Sequence, residues 1–230
     1  LAWGMVAGAP GLTGLALLYR GLAGGAMSVV APITAVTAAV VPMIVGLLVD
    51  RTPEPPALIG AVLAVVSIAL ISLAPGRDAA SGGSRGSASL AGSGGLAGSA
   101  GLALAAGAMF GTFFALLAQT SSDSGMWPLA AVRFTSIGLG LLLMARVRHT
   151  MRLPGPSLGW AVLAGAGDIS ANALFLLATR HGLLSVVAPI ASLYPVSTVL
   201  LALAVDKERV RPLQLAGLGL AAGALVLAAI

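Results

Sequence analysis

Six residues, Ser28-Val29-Val30-Ala31-Pro32-Ile33, return unchanged as Ser185 to Ile190. The same offset of 157 lays Trp3 on Trp160, Pro55 on Pro212 and Gly60 on Gly217. It also pairs Leu1, Ala7, Gly8, Ala9, Ala16, Leu17, Gly25, Leu58, Leu63, Ala64 and Leu70 with identical residues, without a gap from residue 1 to residue 73. A register kept that long marks an internal duplication, so any fold of this chain must contain one unit twice. The second copy also has a leader, residues 99–155, with no counterpart before Leu1. The expectation is therefore a parent chain with two more spans, about sixty residues, ahead of Leu1.

The material of the repeat decides where it can fold. Hydrophobic residues make up 58% of the chain and charged residues 8%, with a mean hydropathy of +1.04, far from the soluble range of about 45–50% apolar and 25% charged. Charge-free runs cover 1–19, 21–49, 55–76, 86–122, 153–167, 182–205 and 212–230. Most exceed the ~20 apolar residues that carry a helix across ~30 Å of hydrocarbon. The fold class is all-α, a polytopic membrane helix bundle.

Eight spans are expected, at 1–20, 26–48, 57–74, 99–119, 126–145, 158–179, 183–205 and 212–230. Arg20 and Gly24-Gly25 separate the first two, and Asp50-Arg51-Thr52-Pro53-Glu54-Pro55-Pro56 stacks charge and proline before the third. Residues 75–98 are mostly Gly, Ser and Ala, the composition of a flexible linker. The domain reading is thus 1–74 as the last three helices of a first repeat, 75–98 as the linker, and 99–230 as a complete five-helix second repeat. An odd number of helices per unit forces the two copies to cross the membrane in opposite senses, as in inverted-repeat transporters. The expected parent then has ten spans, of which eight are present.

The net charge of +5 does not make a nucleic-acid binder, because the twelve basic residues are scattered, mainly among connecting loops. Arg20, Arg77, Arg85, Arg146, Arg148, Arg152, Lys207, Arg209 and Arg211 fall on one side of the expected topology, and Arg51 and Arg180 on the other. The positive-inside rule turns the nine-charge side to the cytoplasm. With no cysteine, and with His149 and His181 both in connections, no metal site or cofactor is expected. The first apolar run lacks the basic start and cleavage site of a signal peptide and reads as a retained span.

Three stretches resemble the EamA-type transporters of the drug/metabolite transporter superfamily. They are Ala178 to Pro195 (Ala-Thr-Arg-His-Gly-Leu-Leu-Ser-Val-Val-Ala-Pro-Ile-Ala-Ser-Leu-Tyr-Pro), the Asp206-Lys207-Glu208-Arg209 loop followed by Leu215-Ala216-Gly217, and Trp127-Pro128-Leu129-Ala130-Ala131-Val132-Arg133-Phe134. The similarity covers nearly the whole chain outside the linker. It implies a ten-helix carrier with a central cavity, in the plasma membrane of a bacterium, exporting amino acids or other small metabolites. It also implies both ends in the cytoplasm, which conflicts with the charge count. The sequence departs from the pattern in lacking the first two helices and in having Asp50-Arg51 where the second copy has Lys207-Glu208.

Polar residues within apolar spans are the candidates for chemistry. Asp168 is the only acid inside a span, about 15 Å from the span's start at helical rise. A carboxylate there costs ~2.5–3.5 kcal/mol on insertion scales and takes a partner or a role. Arg133 is the only base inside a span and lies at similar depth on the antiparallel neighbour, so the two can form a structural ion pair or serve a substrate. Asn172 shares a helix face with Asp168. Tyr194-Pro195 places a polar aromatic beside a proline that removes a backbone bond mid-span. Asp168, Asn172, Arg133 and Tyr194 are therefore the substrate-binding candidates. Pro32, Pro189 and Pro195 are the candidate helix kinks.

Trp3 and Trp160 start their helices and read as interfacial anchors. Gly4/Gly8, Gly107/Gly111 and Gly219/Gly223 have the small-xxx-small spacing of close helix packing. Phe110, Phe113 and Phe114, beside Thr112 and Gln119, read as core or lipid-facing, with cavity lining as the alternative. Gly165-Ala166-Gly167-Asp168 also matches the Gly-x-Gly-Asp pattern of intramembrane aspartyl proteases. Such enzymes need two carboxylates sharing a proton, and Asp50, Asp78, Asp123 and Asp206 all lie in loops or at span ends. A non-enzymatic carrier is the reading, with an inert fragment of one as the other alternative. Its partners are a metabolite and the bilayer, with protons as coupling ion and a homodimer left open.

Overall fold

The computed structural model describes residues 2–23, 27–50, 53–73, 93–147, 155–194, 196, 200 and 212–228. Among them every regular element is helical. In chain order they are α1 (Ala2–Ala23), α2 (Met27–Val49), α3 (Pro55–Leu73), α4 (Ser93–Ala118), a 3-10 turn (Ser122–Ser124), α5 (Trp127–Val147), α6 (Gly155–His181), α7 (Leu184–Ala191) and α8 (Pro212–Ala228). The first six α-helices are long and apolar enough to cross a bilayer, and α8 is a shorter apolar helix.

Helix limits follow local chemistry. Proline opens both α3 and α8, where its missing N–H would have had no partner. These are Pro55 and Pro212, mates at the 157 offset. Arg20 closes α1 and Arg180 closes α6, each placing a cation at the negative end of the helix dipole. Helix α4 begins at Ser93, six residues earlier than expected. The last residues of the Gly/Ser stretch are helical because extending an existing helix adds a bond for each residue fixed. Residues 75–92, the rest of the expected linker, lie outside the described residues.

The larger correction concerns span seven. It is not one continuous helix over its described part: α7 ends at Ala191, a turn follows at Ser192 and Leu193, and helix resumes at Tyr194. The expected interruption is at Tyr194-Pro195, but the break falls just before it. An unbroken helix would have Pro195 bond the carbonyl of Ala191, which proline cannot do. Ser192 N–H still reaches Ala188 O at 3.0 Å, while Leu193 N–H takes the tighter bond to Ile190 O at 3.1 Å. Pro32 lies inside the continuous helix α2, together with Pro42, and Pro189 lies inside α7. Pro195 lies outside the described residues.

Small residues set the packing. Helix α4 occupies the groove between α1 and α2, α5 packs on α1, α7 packs on α2 and α3, and α3 pairs with α8. Gly107 lies against Thr34 and Thr37, and Gly111 against Val41 and Pro42 of α2; Gly4 and Gly8 lie against the backbone at Pro128 and Val132 of α5. Lipid tails are as apolar as leucine, so close contact and interhelical hydrogen bonds hold such bundles together. The third pair departs from expectation, since a Cβ on Gly219 or Gly223 would meet nothing within 4 Å among the described residues. The buried face of α8 is instead Gly217, Ala221 and Ala224, whose spacing of four and three turns Gly219 away.

The α3–α8 contact reports the symmetry directly. A side chain on Gly60 would meet the backbone N of Ala228, and one on Gly217 would meet the backbone N of Ile71. At the 157 offset these are the same contact twice, and the two helices run antiparallel. Ser67 adds a hydroxyl bond to Gly217 O at 2.7 Å. The topology agrees at the helix ends: Asp50 after α2 bonds the start of α7, and Arg180 at the end of α6 bonds Gly125 before α5. The connections after spans two, four and six thus share one side.

The repeats also differ in what surrounds α1 and α6. Gly4, Ala7, Gly8 and Gly14 of α1 are buried, whereas their mates Ala161, Ala164, Gly165 and Ala171 on α6 are exposed. The groove between α6 and α7, the counterpart of the one α4 fills, is an open apolar cavity of about 630 Å3 that reaches Ala57 of α3 and Ala228 of α8.

Candidate functional site

Two polar constellations lie within the bundle, and the four binding candidates divide between them. Arg133 of α5 reaches across to α6 and donates to Oδ2 of Asp168. From one turn further along α6, Asn172 donates its amide to Oδ1 of Asp168 at 3.2 Å and to the Asp168 carbonyl at 2.8 Å. Both carboxylate oxygens are therefore engaged, and the expected pairing of Arg133 with Asp168 forms. The pair is not enclosed by protein in the way its depth suggested. The side chain of Asp168 is 56% exposed and that of Arg133 34%, on the open face of α6, while Asn172 is 7% exposed. Among the described residues the partner of Asp168 is an arginine and not the second carboxylate that the protease reading requires.

Tyr194 belongs elsewhere. It lines a cavity of about 410 Å3 to which none of those three residues contributes. Walls come from Leu18 and Leu22 of α1 and from Phe110 and Phe114 of α4, and the polar groups are Thr34, Ser192 and Tyr194. The break after α7 exposes Ser192 and Tyr194 to this space, because the chain turns there instead of continuing as helix. The phenylalanine cluster thus divides: Phe113 is buried in the core, while Phe114 lines the cavity and packs with its ring centroid 4.7 Å from that of Phe175 of α6, the two rings tilted by 51°. Thr112 bonds back to Ala108 O within its helix, and Gln119 is exposed past its end.

The cavity straddles both repeats. Thr34 follows the first Ser-Val-Val-Ala-Pro-Ile hexapeptide and Ala191 follows the second; these mates line the same space. Thr34 donates to Ala103 O at 3.2 Å and Ser192 to Ala188 O at 2.8 Å, leaving their oxygens as acceptors. Among the described residues the Tyr194 hydroxyl has no hydrogen-bond partner, so it can donate or accept. A small molecule with an apolar body and one or two polar groups fits such a lining.

Sequence reasoning missed Thr34 and Ser192. The available signal was position, since both lie within two residues of a repeated hexapeptide. It also passed over Asp50, whose Oδ2 accepts from the Leu184 amide of the other repeat at 2.8 Å. Trp3, Trp127 and Trp160 are 51%, 71% and 74% exposed at helix starts. Trp3 and Trp127 mark one membrane surface and Trp160 the other, as interfacial belts require.

The model of the EamA-like transporter family matches residues 98–230, from α4 through α8. Among curated proteins and among solved structures, nothing matches the chain.

Proposed function

We propose, from the premise that this chain belongs to the EamA-like transporter family, that it is a secondary carrier of small organic metabolites of the amino-acid class. The observation that supports this most directly is the cavity built by both inverted repeats around Tyr194, Thr34 and Ser192. Substrate would rest there, its polar group on the hydroxyls and its body against Phe110 and Phe114. Rocking of one repeat, residues 1–74, against the other, residues 99–230, would open the cavity to each side in turn. Transport would run outward across a bacterial plasma membrane.

Arg133, Asp168 and Asn172 form a second polar station, where paired intramembrane charges serve a substrate or proton path. Proton coupling through Asp168 belongs to this part of the reading. The test is counterflow of radiolabelled neutral, acidic and basic amino acids in proteoliposomes containing the chain. Saturable flux that falls at least tenfold in Tyr194→Ala and in Thr34→Val is expected. Unchanged flux in both variants would remove the cavity from the pathway.

A further inference from the structure

Helix α7 begins without a cap of its own. Its N-cap residue, Leu183, makes no side-chain cap, and the first turn has no acidic residue. Leu184 is buried, and a buried amide left without a partner is expensive. The missing acceptor comes from the other repeat: Asp50, just beyond the end of α2, accepts the Leu184 N–H at 2.8 Å. The contact carries full charge onto the positive end of a helix. One turn earlier, Gly46 lies so close to α7 that a Cβ there would overlap Ser185 N and sit 2.8 Å from its Cα. No side chain fits between the two helices, and backbone cannot give way as a rotamer can.

We propose that Gly46 and Asp50 form a latch that holds the α2–α7 crossing shut on one side of the membrane and so sets the resting state of the carrier. The duplication supplies a second line of argument. At the 157 offset the counterparts of Gly46 and Asp50 are Leu203 and Lys207. Leucine has bulk where glycine has none, and an ammonium is a donor that cannot cap amides. The sequence therefore writes this closure into one end of the pseudo-symmetric pair and withholds it from the other. The two gates of an inverted-repeat carrier are then unequal by construction, with the Asp50 gate closed at rest.

This inference rests on the carrier reading, and the experiment separates the two. The chain has no cysteine, so Ser192→Cys gives a single thiol reporter in the cavity, read by a membrane-impermeant maleimide added to either face of the vesicle. Glu54→Cys, exposed beside Asp50 in sequence, identifies the face on which the latch lies. In the Ser192→Cys background, Asp50→Ala is expected to raise labelling of the cavity thiol from that face about tenfold, the lower end for losing a hydrogen bond to a charged group, and to lower it from the other face. Asp50→Glu, which keeps the charge, should restore most of the parental rate. Gly46→Ala should move the rates in the same direction and decides the matter if Asp50→Ala does not insert. Unchanged rates overturn the latch, as does an equal rise from both faces, which signals general loosening. Labelling from neither face in any variant would instead overturn the carrier reading, and the latch with it.

Discussion

Substituting Gly8→Ala introduces one methyl group, and the internal duplication supplies its control at Gly165→Ala. On Gly8 the new Cβ would lie 2.7 Å from Val132 O and 2.8 Å from the Thr135 Cβ, so α1 and α5 must separate. Overpacking of this kind costs about 1–3 kcal/mol. Separation also weakens the Ser136 hydroxyl bond to Gly8 O, now 3.0 Å, worth about 0.6 kcal/mol between membrane helices. Against this, alanine gains roughly 0.9 kcal/mol over glycine in helix propensity. The balance is a destabilisation of about 2 kcal/mol. At Gly165, the mate of Gly8, a Cβ would meet nothing within 4 Å among the described residues. Only the propensity gain operates there, so the same substitution should be neutral or stabilising by up to about 1 kcal/mol. Steric trapping or denaturant unfolding in bicelles, followed by tryptophan fluorescence, measures both. Equal destabilisation at the two sites would refute the contact argument.

Other outcomes follow from single contacts. Ser67→Ala should cost about 0.6 kcal/mol by the same unfolding assay, since it removes the bond to Gly217 O. Arg133→Leu should lower stability or flux more than the double variant Arg133→Leu/Asp168→Leu, because the single change leaves a carboxylate in the bilayer; a coupling of about 1 kcal/mol from the double-mutant cycle is expected. If Asp168 carries a coupling proton, Asp168→Asn abolishes the pH dependence of flux; flux that keeps its pH dependence would remove protons from that residue.

The helices were legible because bilayer thickness and loop charge act on sequence directly. Pro55, Pro212, Arg20 and Arg180 each mark an end that the structure keeps. What escaped depends on how faces turn toward one another. Gly219 and Gly223 have the spacing of a packing motif but point away from α3, and only the neighbour's position reveals that Gly217 is the contact. Asp168 and Arg133 could be paired from depth alone, and they pair. Tyr194 could not be separated from them by depth, since the cavity it lines is defined by α1, α2 and α4, far away in sequence. Asp50 escaped because a carboxylate at a span end reads as loop charge until the helix it caps is placed beside it.

The paired Gly60 and Gly217 contacts have a consequence for ancestry. A surface on which one residue meets a second, while the counterpart of the second meets the counterpart of the first, is self-complementary, the form found between identical subunits around a two-fold axis. Such a surface joins two separate molecules as readily as two halves of one. A unit with few flanking charges could have inserted in both directions and met its own inverted twin across the glycine that α3 and α8 both still present, Gly60 and Gly217. Fusion of the genes would then have fixed the one-to-one ratio. It would also have freed each half to diverge, as Gly46 from Leu203 and Asp50 from Lys207.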